Sequence, residues 1–431
     1  MAVHADVFAR LVASTSRLAG IPSLRNTFVP TPVPGRTSAE LRAYIEGQDP
    51  ISGRPFIDEL LEGLTAPLTE DDMKGARFER TRPRLVDPGY EDELQELFLE
   101  NGWTDQLPVI LPTEQRVEAM LKGTSHGPEE PVGKIRATST RDFWEFTVEQ
   151  AAVNAVMAGA KPEYFPVILA LLTSGVTARH SSISSIGEMV MINGPIRNEI
   201  GMNAGLGALG PYNHANATIG RAYGLGSQNL QGGSIPAISY MGTHGNPLSY
   251  VNMTFAENEE LSPWEPYHVQ RGFSPDQSTA TIFTGARTLL RSGTGGSFEE
   301  HAATALGSLR GGFGVFLLLD PLAAEFLVAD HAFGRKQDLI DWIADSARTP
   351  ARVWWDQKLQ DLFFGNPGRQ GTDPWASYLK ASPADMIPAN RMEDIHVGVV
   401  GGRTNSSWIA VEGQPSGTGT NAHIVSVDRW R

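Results

Sequence analysis

With 431 residues, 41 % of them hydrophobic, the chain can form two domains or one large domain with an appendage, and it can bury a substantial core. Its 35 Lys plus Arg against 49 Asp plus Glu give a formal net charge of −14 with no basic run, which argues against a nucleic-acid partner because a phosphate backbone needs a positive field. It has no cysteine, so disulfides, thiolate metal sites, iron–sulfur clusters and a cysteine nucleophile of its own are excluded.

The first twenty residues, MAVHADVFARLVASTSRLAG, lack the basic start and unbroken apolar stretch of a secretory signal. The longest apolar stretch, near Phe165–Leu172, is too short for a bilayer, which needs about 20 apolar residues. The expectation is a cytoplasmic protein with no membrane partner. Residues 5–19 read as a helix and Asn26–Val33 as extended. Ser38–Gly47, with Ser38 as cap, and Phe56–Gly63 read as helices. This part, 1–66, has too few apolar faces for a convincing core, so it reads as a docking segment that packs on something else. Residues 67–94 are polar, with Pro83 and Pro88, and read as a linker or arm.

The main region, 95–431, begins with a helix at Asp92–Asn101, an extended stretch Gly102–Pro112 and a helix Thr113–Leu121. Thr147 and Gln150 fit a capping box that opens a helix to Gly159, with Val148, Ala152, Ala155 and Val156 on one face. A second helix follows from Pro162 to about Ser174, and Met189–Ile192 reads as a buried strand. Further on, strand Ser278–Thr284, the loop SGTGGS at 292–297, a helix to Arg310 capped by Ser297 with Glu300, and strand Phe313–Asp320 form a unit of the kind that builds parallel sheets. Helices at 321–332 and 336–347 and strands at Ile395–Val400, Trp408–Val411 and His423–Val427 complete the pattern. The class is α/β, a mixed or mostly parallel sheet core with flanking helices, a long irregular central segment and a small, mostly helical N-terminal portion.

That central segment, 193–271, is dense in Asn, Gly, His, Arg and Glu and poor in periodic apolar pattern. So much irregular backbone in a compact protein points to a site or an interface. Gly205, Gly207 and Gly210 spell GxGxxG, but no strand directly precedes them and Pro211 follows, so a glycine-rich turn fits better than a dinucleotide site. Asn193, Asn203, Asn216, Thr218, Arg221 and His214 can hold a polar ligand, Arg221 by clamping a carboxylate. Equally, they can satisfy loop backbone. In AENEELSPWEPYHVQRG, Glu257 and Glu259 can raise one another's pKa and act with His268 and His214 as proton carriers. Asn258, Arg271 and His244 add substrate contacts. The competing reading is a solvated acidic loop pinned by a buried Trp264. Gly293, Thr294, Gly295, Gly296 and Ser297 before a helix can cradle an anion, or simply connect strand to helix. The ten histidines show no metal-ligand spacing, no Ca loop or zinc motif occurs, and no motif indicates a cofactor.

The stretches GWTDQLPVILPTEQRVEAML, FTVEQAAVNAVMAGAKPEYFPVILA, INGPIRNEIGMNAGLGALG, ANATIGRA and ENEELSPWEPYHVQRGF, together covering about 95–275, resemble the UGSC-like family of bacterial proteins. YIEGQDPISGRPFIDELLEGLTAPL also looks like the latter part of a UGSC-like domain. That family is named for a selenocysteine- or cysteine-bearing Gly-Ser-Cys element, which this cysteine-free chain lacks. The resemblance implies an oligomer in which a small thiol-bearing partner subunit supplies the missing element, and reductive or lyase-type cleavage of a carbon–heteroatom bond in a small polar or anionic substrate. Two alternatives stand beside it: a self-sufficient His/Glu-dependent lyase, hydratase or hydrolase, and a non-catalytic structural subunit.

Overall fold

The computed structural model describes the chain except for residues 19, 34–35, 74–83, 135–144, 180–184, 231–241, 243, 286–288, 294–297, 310–311, 357–359 and 415–420. At the N-terminus β1 (Ala2–Ala5) pairs in parallel with β2 (Asn26–Val29), and α1 (Ala9–Leu18) connects them. The first residues are therefore a strand, because a partner strand is available at 26–29. α2 (Ser38–Glu46), α3 (Phe56–Thr65) and α4 (Glu70–Met73) follow. The cap of α2 is Thr37, not Ser38: its hydroxyl accepts from Glu40 N–H while the Glu40 carboxylate accepts from Thr37 N–H. Polar contacts tie this portion together. The buried Asp49 carboxylate accepts from the N–H of Phe28 and Ile51 and from the Thr27 hydroxyl, and Arg25 donates to the carbonyls of Gly63, Ala66 and Pro67 and to Asp72.

Next come α5 (Glu91–Glu100), α6 (Glu114–Leu121), β3 (Pro131–Lys134), β4 (Glu145–Thr147), α7 (Val148–Met157) and α8 (Phe165–Leu172). The Thr147–Gln150 capping box is present. Every residue of α8 is buried, which is why its sequence is apolar all round. Residues 102–112 form no strand. The Gln95 side chain satisfies both backbone groups of Val109, at 2.8 and 3.3 Å, so this stretch needs no neighbouring strand.

The rest of the chain builds two four-stranded sheets and one two-stranded sheet. Its elements are β5 (Glu188–Asn193), α9 (Ile196–Glu199), α10 (His214–Asn229), β6 (Thr254–Ala256), α11 (Tyr267–Gln270), β7 (Thr279–Thr284) and β8 (Leu289–Gly293). They continue with α12 (Phe298–Ser308), β9 (Val315–Leu319), α13 (Pro321–Asp330), α14 (Lys336–Ser346), β10 (Arg348–Pro350), β11 (Met386–Pro388), β12 (Ile395–Val399), β13 (Ser407–Glu412) and β14 (Ala422–Ser426). The first sheet has the order β14-β7-β5-β6 and the second β12-β9-β13-β8. In each, one pair is parallel (β5 with β6, β9 with β12) and the other pairings are antiparallel. The expected parallel crossover between 278 and 320 does not form. β7 belongs to the first sheet and β9 to the second, and β8 between them pairs with β13.

Side-chain alternation stacks these sheets into four layers. Val190, Ile192, Ala280 and Ile282 pack against α7, α8 and α10. Met189, Met191, Phe255 and Phe283 point the other way and meet Phe316, Leu318 and Val411 between the sheets. Val315, Leu317, Leu319, Val397, Val399, Trp408 and Ala410 face α12, α13 and α14. The order is helices, sheet, sheet, helices, and β5, β6, β7, β9 and β12 are buried on both faces.

Gly220 sets how closely α10 lies on the residues before β6. A Cβ there would sit 1.9 Å from the Val251 carbonyl oxygen and 2.3 Å from Thr254 Oγ1. Alanine favours a helix over glycine by about 1 kcal/mol. Gly220→Ala is nevertheless expected to destabilise by about 1–3 kcal/mol, because the overpacked backbone must move. Urea unfolding checks the sign, and a stabilised variant would show that residues 251–254 yield.

Candidate functional site

Where the parallel strands β5 and β6 end, side by side, their next residues bring a buried polar cluster together. Glu257 N–H donates to the Ile192 carbonyl, which places the Glu257 carboxylate beside Asn193. Gly194 then turns the chain with φ +82, a conformation and a space closed to a side chain, since a Cβ would lie 2.1 Å from the Gln277 carbonyl oxygen. The C-terminal edge of parallel strands is where open α/β sheets present their sites.

The Asn193 amide bridges two carboxylates. Its Nδ2 donates to Glu257 Oε2 at 2.5 Å and to Glu259 Oε1 at 2.9 Å. Each carboxylate has a cation of its own. Lys336 Nζ, at the start of α14, lies 3.3 Å from Glu257 Oε1, and both side chains are fully buried. Arg197, from α9, contacts Glu259 at 3.0 Å and Glu260 at 2.7 Å. Glu257 also accepts from the N–H of Tyr267 at 2.7 Å and of Val399 at 3.4 Å, and Glu259 from the N–H of Gly194 at 2.8 Å. The Arg197 hydrogen bond holds the Glu260 carboxyl down at about 2. At Glu260, then, the neighbouring cation wins over carboxylate crowding.

His268 lies beside Glu259 of this cluster and is fully buried. Its Nδ1 is 3.9 Å from Glu259 Oε1, beyond hydrogen-bonding distance, and among the described residues neither ring nitrogen has a hydrogen-bond partner. Asn193 Oδ1 and Arg197 Nε are likewise buried without partners among the described residues. An imidazole buried in this way costs free energy, and native folds seldom tolerate it without a reason. Beneath it the neighbouring residue, Tyr267, anchors a second chain of contacts. The Tyr267 hydroxyl donates to His396 Nδ1 at 3.1 Å, and His396 Nε2–H donates to Asn421 Oδ1 at 3.0 Å, because the Asn421 amide nitrogen is already directed at the Phe313 carbonyl. Burial pushes His396 down to about 4, so this imidazole is neutral, and burial pushes the Tyr267 hydroxyl up.

The structure thus gathers Asn193, Glu257, Asn258, Glu259 and His268. Asn258 joins the sheets: its N–H donates to the Val399 carbonyl at 2.7 Å and its Nδ2 to the Gly401 carbonyl at 2.9 Å. The other sequence candidates lie elsewhere. Arg221 clamps a carboxylate, but that of Asp105, with two contacts of 2.9 Å, and donates further to the Pro108 carbonyl. Asn203 and Asn216 satisfy the glycine-rich loop: Asn216 Oδ1 accepts from Asn203 N–H, and its Nδ2 donates to the carbonyls of Asn203 and Ala208. His214 opens α10 with Nδ1 3.4 Å from the Tyr164 hydroxyl, and the Thr218 hydroxyl donates to the His214 carbonyl. His244 is exposed, and Arg271 is exposed with its guanidinium 5.9 Å from the Tyr267 ring centre. Gly205, Gly207 and Gly210 lie in turns between α9 and α10. Gly293 ends β8, whereas Thr294, Gly295, Gly296 and Ser297 fall outside the described residues. Trp264 is buried and donates to the Phe333 carbonyl, so it does pin its loop.

Arg197, Lys336 and the Tyr267–His396–Asn421 chain are the members that sequence reading missed. One signal was available for Lys336. A cation at the first position of a helix opposes the helix dipole, so its placement there asks for another partner. Among the described residues no group of three or more His, Asp or Glu side chains could hold a metal ion, and no helix is long and apolar enough to cross a membrane. No family model matches this chain, and no curated protein matches it in sequence.

Proposed function

We propose that this chain is the large subunit of a heteromeric enzyme acting on a small polar or anionic substrate, with His268 and Glu259 moving the proton. The carrying observation is the buried His268 imidazole, without a hydrogen-bond partner among the described residues and 3.9 Å from a carboxylate that three donors hold in place. A base whose ring nitrogens are both unengaged is available for a substrate proton. Three carboxylates (Glu257, Glu259, Glu260) face two cations (Lys336, Arg197), so a neutral polar substrate fits this cluster better than an anion. The chain has no thiol, so reductive or lyase-type cleavage of a carbon–heteroatom bond would draw its nucleophile from a small thiol-bearing partner. The surface beside the cluster suits a partner. The loop at 203–213 meets Gly401 through the Ala204 carbonyl and leaves Leu206, Leu209 and Tyr212 exposed.

A second reading has support of its own. The His268–Glu259 pair lies wholly within this chain, so a self-sufficient lyase, hydratase or hydrolase needs no partner. The test is depletion of small molecules from an extract of the source cells, with the chain alone and with the proteins that co-purify with it. Depletion that needs a co-purifying thiol protein, and is lost in His268→Asn and Glu259→Gln, is the expected outcome. Depletion by the chain alone selects the second reading. Turnover that survives both substitutions in folded protein removes both readings.

A further inference from the structure

The two sheets are alike in more than strand order. β5, β6, β7 and β8 follow one another as β9, β12, β13 and β14 do. In each run the first two strands are parallel, and the third is antiparallel to the first. The registers agree. Ile192 is opposite Ala256 as Leu319 is opposite Val399, and Thr279 is opposite Ser426 as Ser407 is opposite Gly293. Glu257 N–H donates to Ile192 as Val400 N–H donates to Leu319. The fourth strands are exchanged: β8 completes the second sheet and β14 the first. The chain from β5 onward thus reads as two copies of one unit, each holding the other's last strand.

This equivalence lays Asn193 on Asp320 and Glu257 on Val400. In the second copy Asp320 is an ordinary helix cap that accepts from Ala323 N–H and from both the N–H and the hydroxyl of Ser407, and an apolar residue stands where the carboxylate would be. The fold is duplicated but the polar cluster is not. What the second copy contributes instead is support. Lys336, first residue of the helix lying on β12, reaches Glu257 at the end of β6, and the Val399 N–H of β12 adds a second donor.

Building on the reading of His268 and Glu259 as the proton-moving pair, we propose that Lys336 is a positioning residue for that pair, supplied by the second copy to the site of the first. The connection runs through named contacts. Lys336 holds the Glu257 carboxylate in place, Glu257 fixes the Asn193 amide, and that amide donates to Glu259 beside His268. Without the ammonium group, the fully buried Glu257 carboxylate loses the cation that holds it and moves, and Asn193 turns with it.

The test uses the full chain with isotope-labelled histidine. Lys336→Met is expected to shift the ring-nitrogen resonances of His268 while leaving those of His126, which is engaged by Glu130 and the Arg429 carbonyl, in place. Lys336→Met with Glu257→Gln, which restores an uncharged acceptor for Asn193, is expected to return them toward their original positions. Unchanged His268 resonances in folded Lys336→Met overturn the proposal. Should that single variant not fold, the comparison is between Lys336→Met/Glu257→Gln and Lys336→Met/Glu257→Leu. The Leu variant lacks the acceptor and is expected to shift His268, and identical spectra for the two overturn the proposal. The readout needs no turnover. If His268 proves dispensable for turnover, the function reading fails, whereas the resonances still report whether Lys336 positions it.

Discussion

Lys336→Met is expected to lower the unfolding free energy by about 3–5 kcal/mol, the cost of leaving one member of a buried ion pair without its partner. Lys336 and Glu257 have no exposed side-chain surface, so water cannot take over when the partner is removed. Glu257→Leu alone should cost a similar amount, since it strands the ammonium group. The double variant Lys336→Met/Glu257→Leu should be more stable than either single variant, because no lone charge stays buried. Denaturant unfolding of the four proteins checks this. Single variants that lose under about 1 kcal/mol would mean that water reaches the pair, as at an exposed bridge. The loss would be felt across both sheets, because Lys336 enters from the helices on the second and Glu257 ends a strand of the first.

The second large effect concerns acid. Burial lowers His396 from 6.5 to about 4, and its two ring nitrogens are engaged as in the neutral form by Tyr267 and Asn421. A base whose folded pKa lies below its unfolded value binds more protons when unfolded. Its contribution is therefore complete above pH 6.5 and is lost as the pH falls toward 4. A shift of this size corresponds to about 3 kcal/mol, at 1.36 kcal/mol per pH unit. His396→Gln, which stays neutral throughout, should lose less stability than the parent protein between these limits, whatever its stability at neutral pH. Equal acid sensitivity in the two proteins would show that the ring is not held neutral. Asn421 lies just before β14, so the same acid step should loosen the strand that the second copy lends to the first sheet.

Several local features were legible because they depend on neighbours in sequence. The capping box at Thr147–Gln150 needs only residues three apart, and the all-apolar run Phe165–Leu172 announces burial on every side. Strands at 188–193, 315–319 and 395–399 stand out for their apolar runs. The choice of partner strand did not stand out. Strands buried on both faces carry no alternation to say which sheet they join, so 279–284 and 315–319 read as neighbours although they lie in different sheets. The site shows the same division. Glu257, Glu259 and His268 were visible as a dense polar run, whereas Arg221 looked like a ligand clamp because Asp105 lies 116 residues away.

The sequence by itself determined an acidic, thiol-free α/β chain whose central stretch, 193–271, is dense in polar groups. Composition and local pattern are properties of the chain before it folds. Only the tertiary structure decided that two sheets of one design exchange their last strands, that Lys336 answers Glu257 from 79 residues away, and that His268 is left without a partner. The physical reason is that a buried charge or an unpartnered ring nitrogen has meaning only where water is absent, and long-range packing decides where that is.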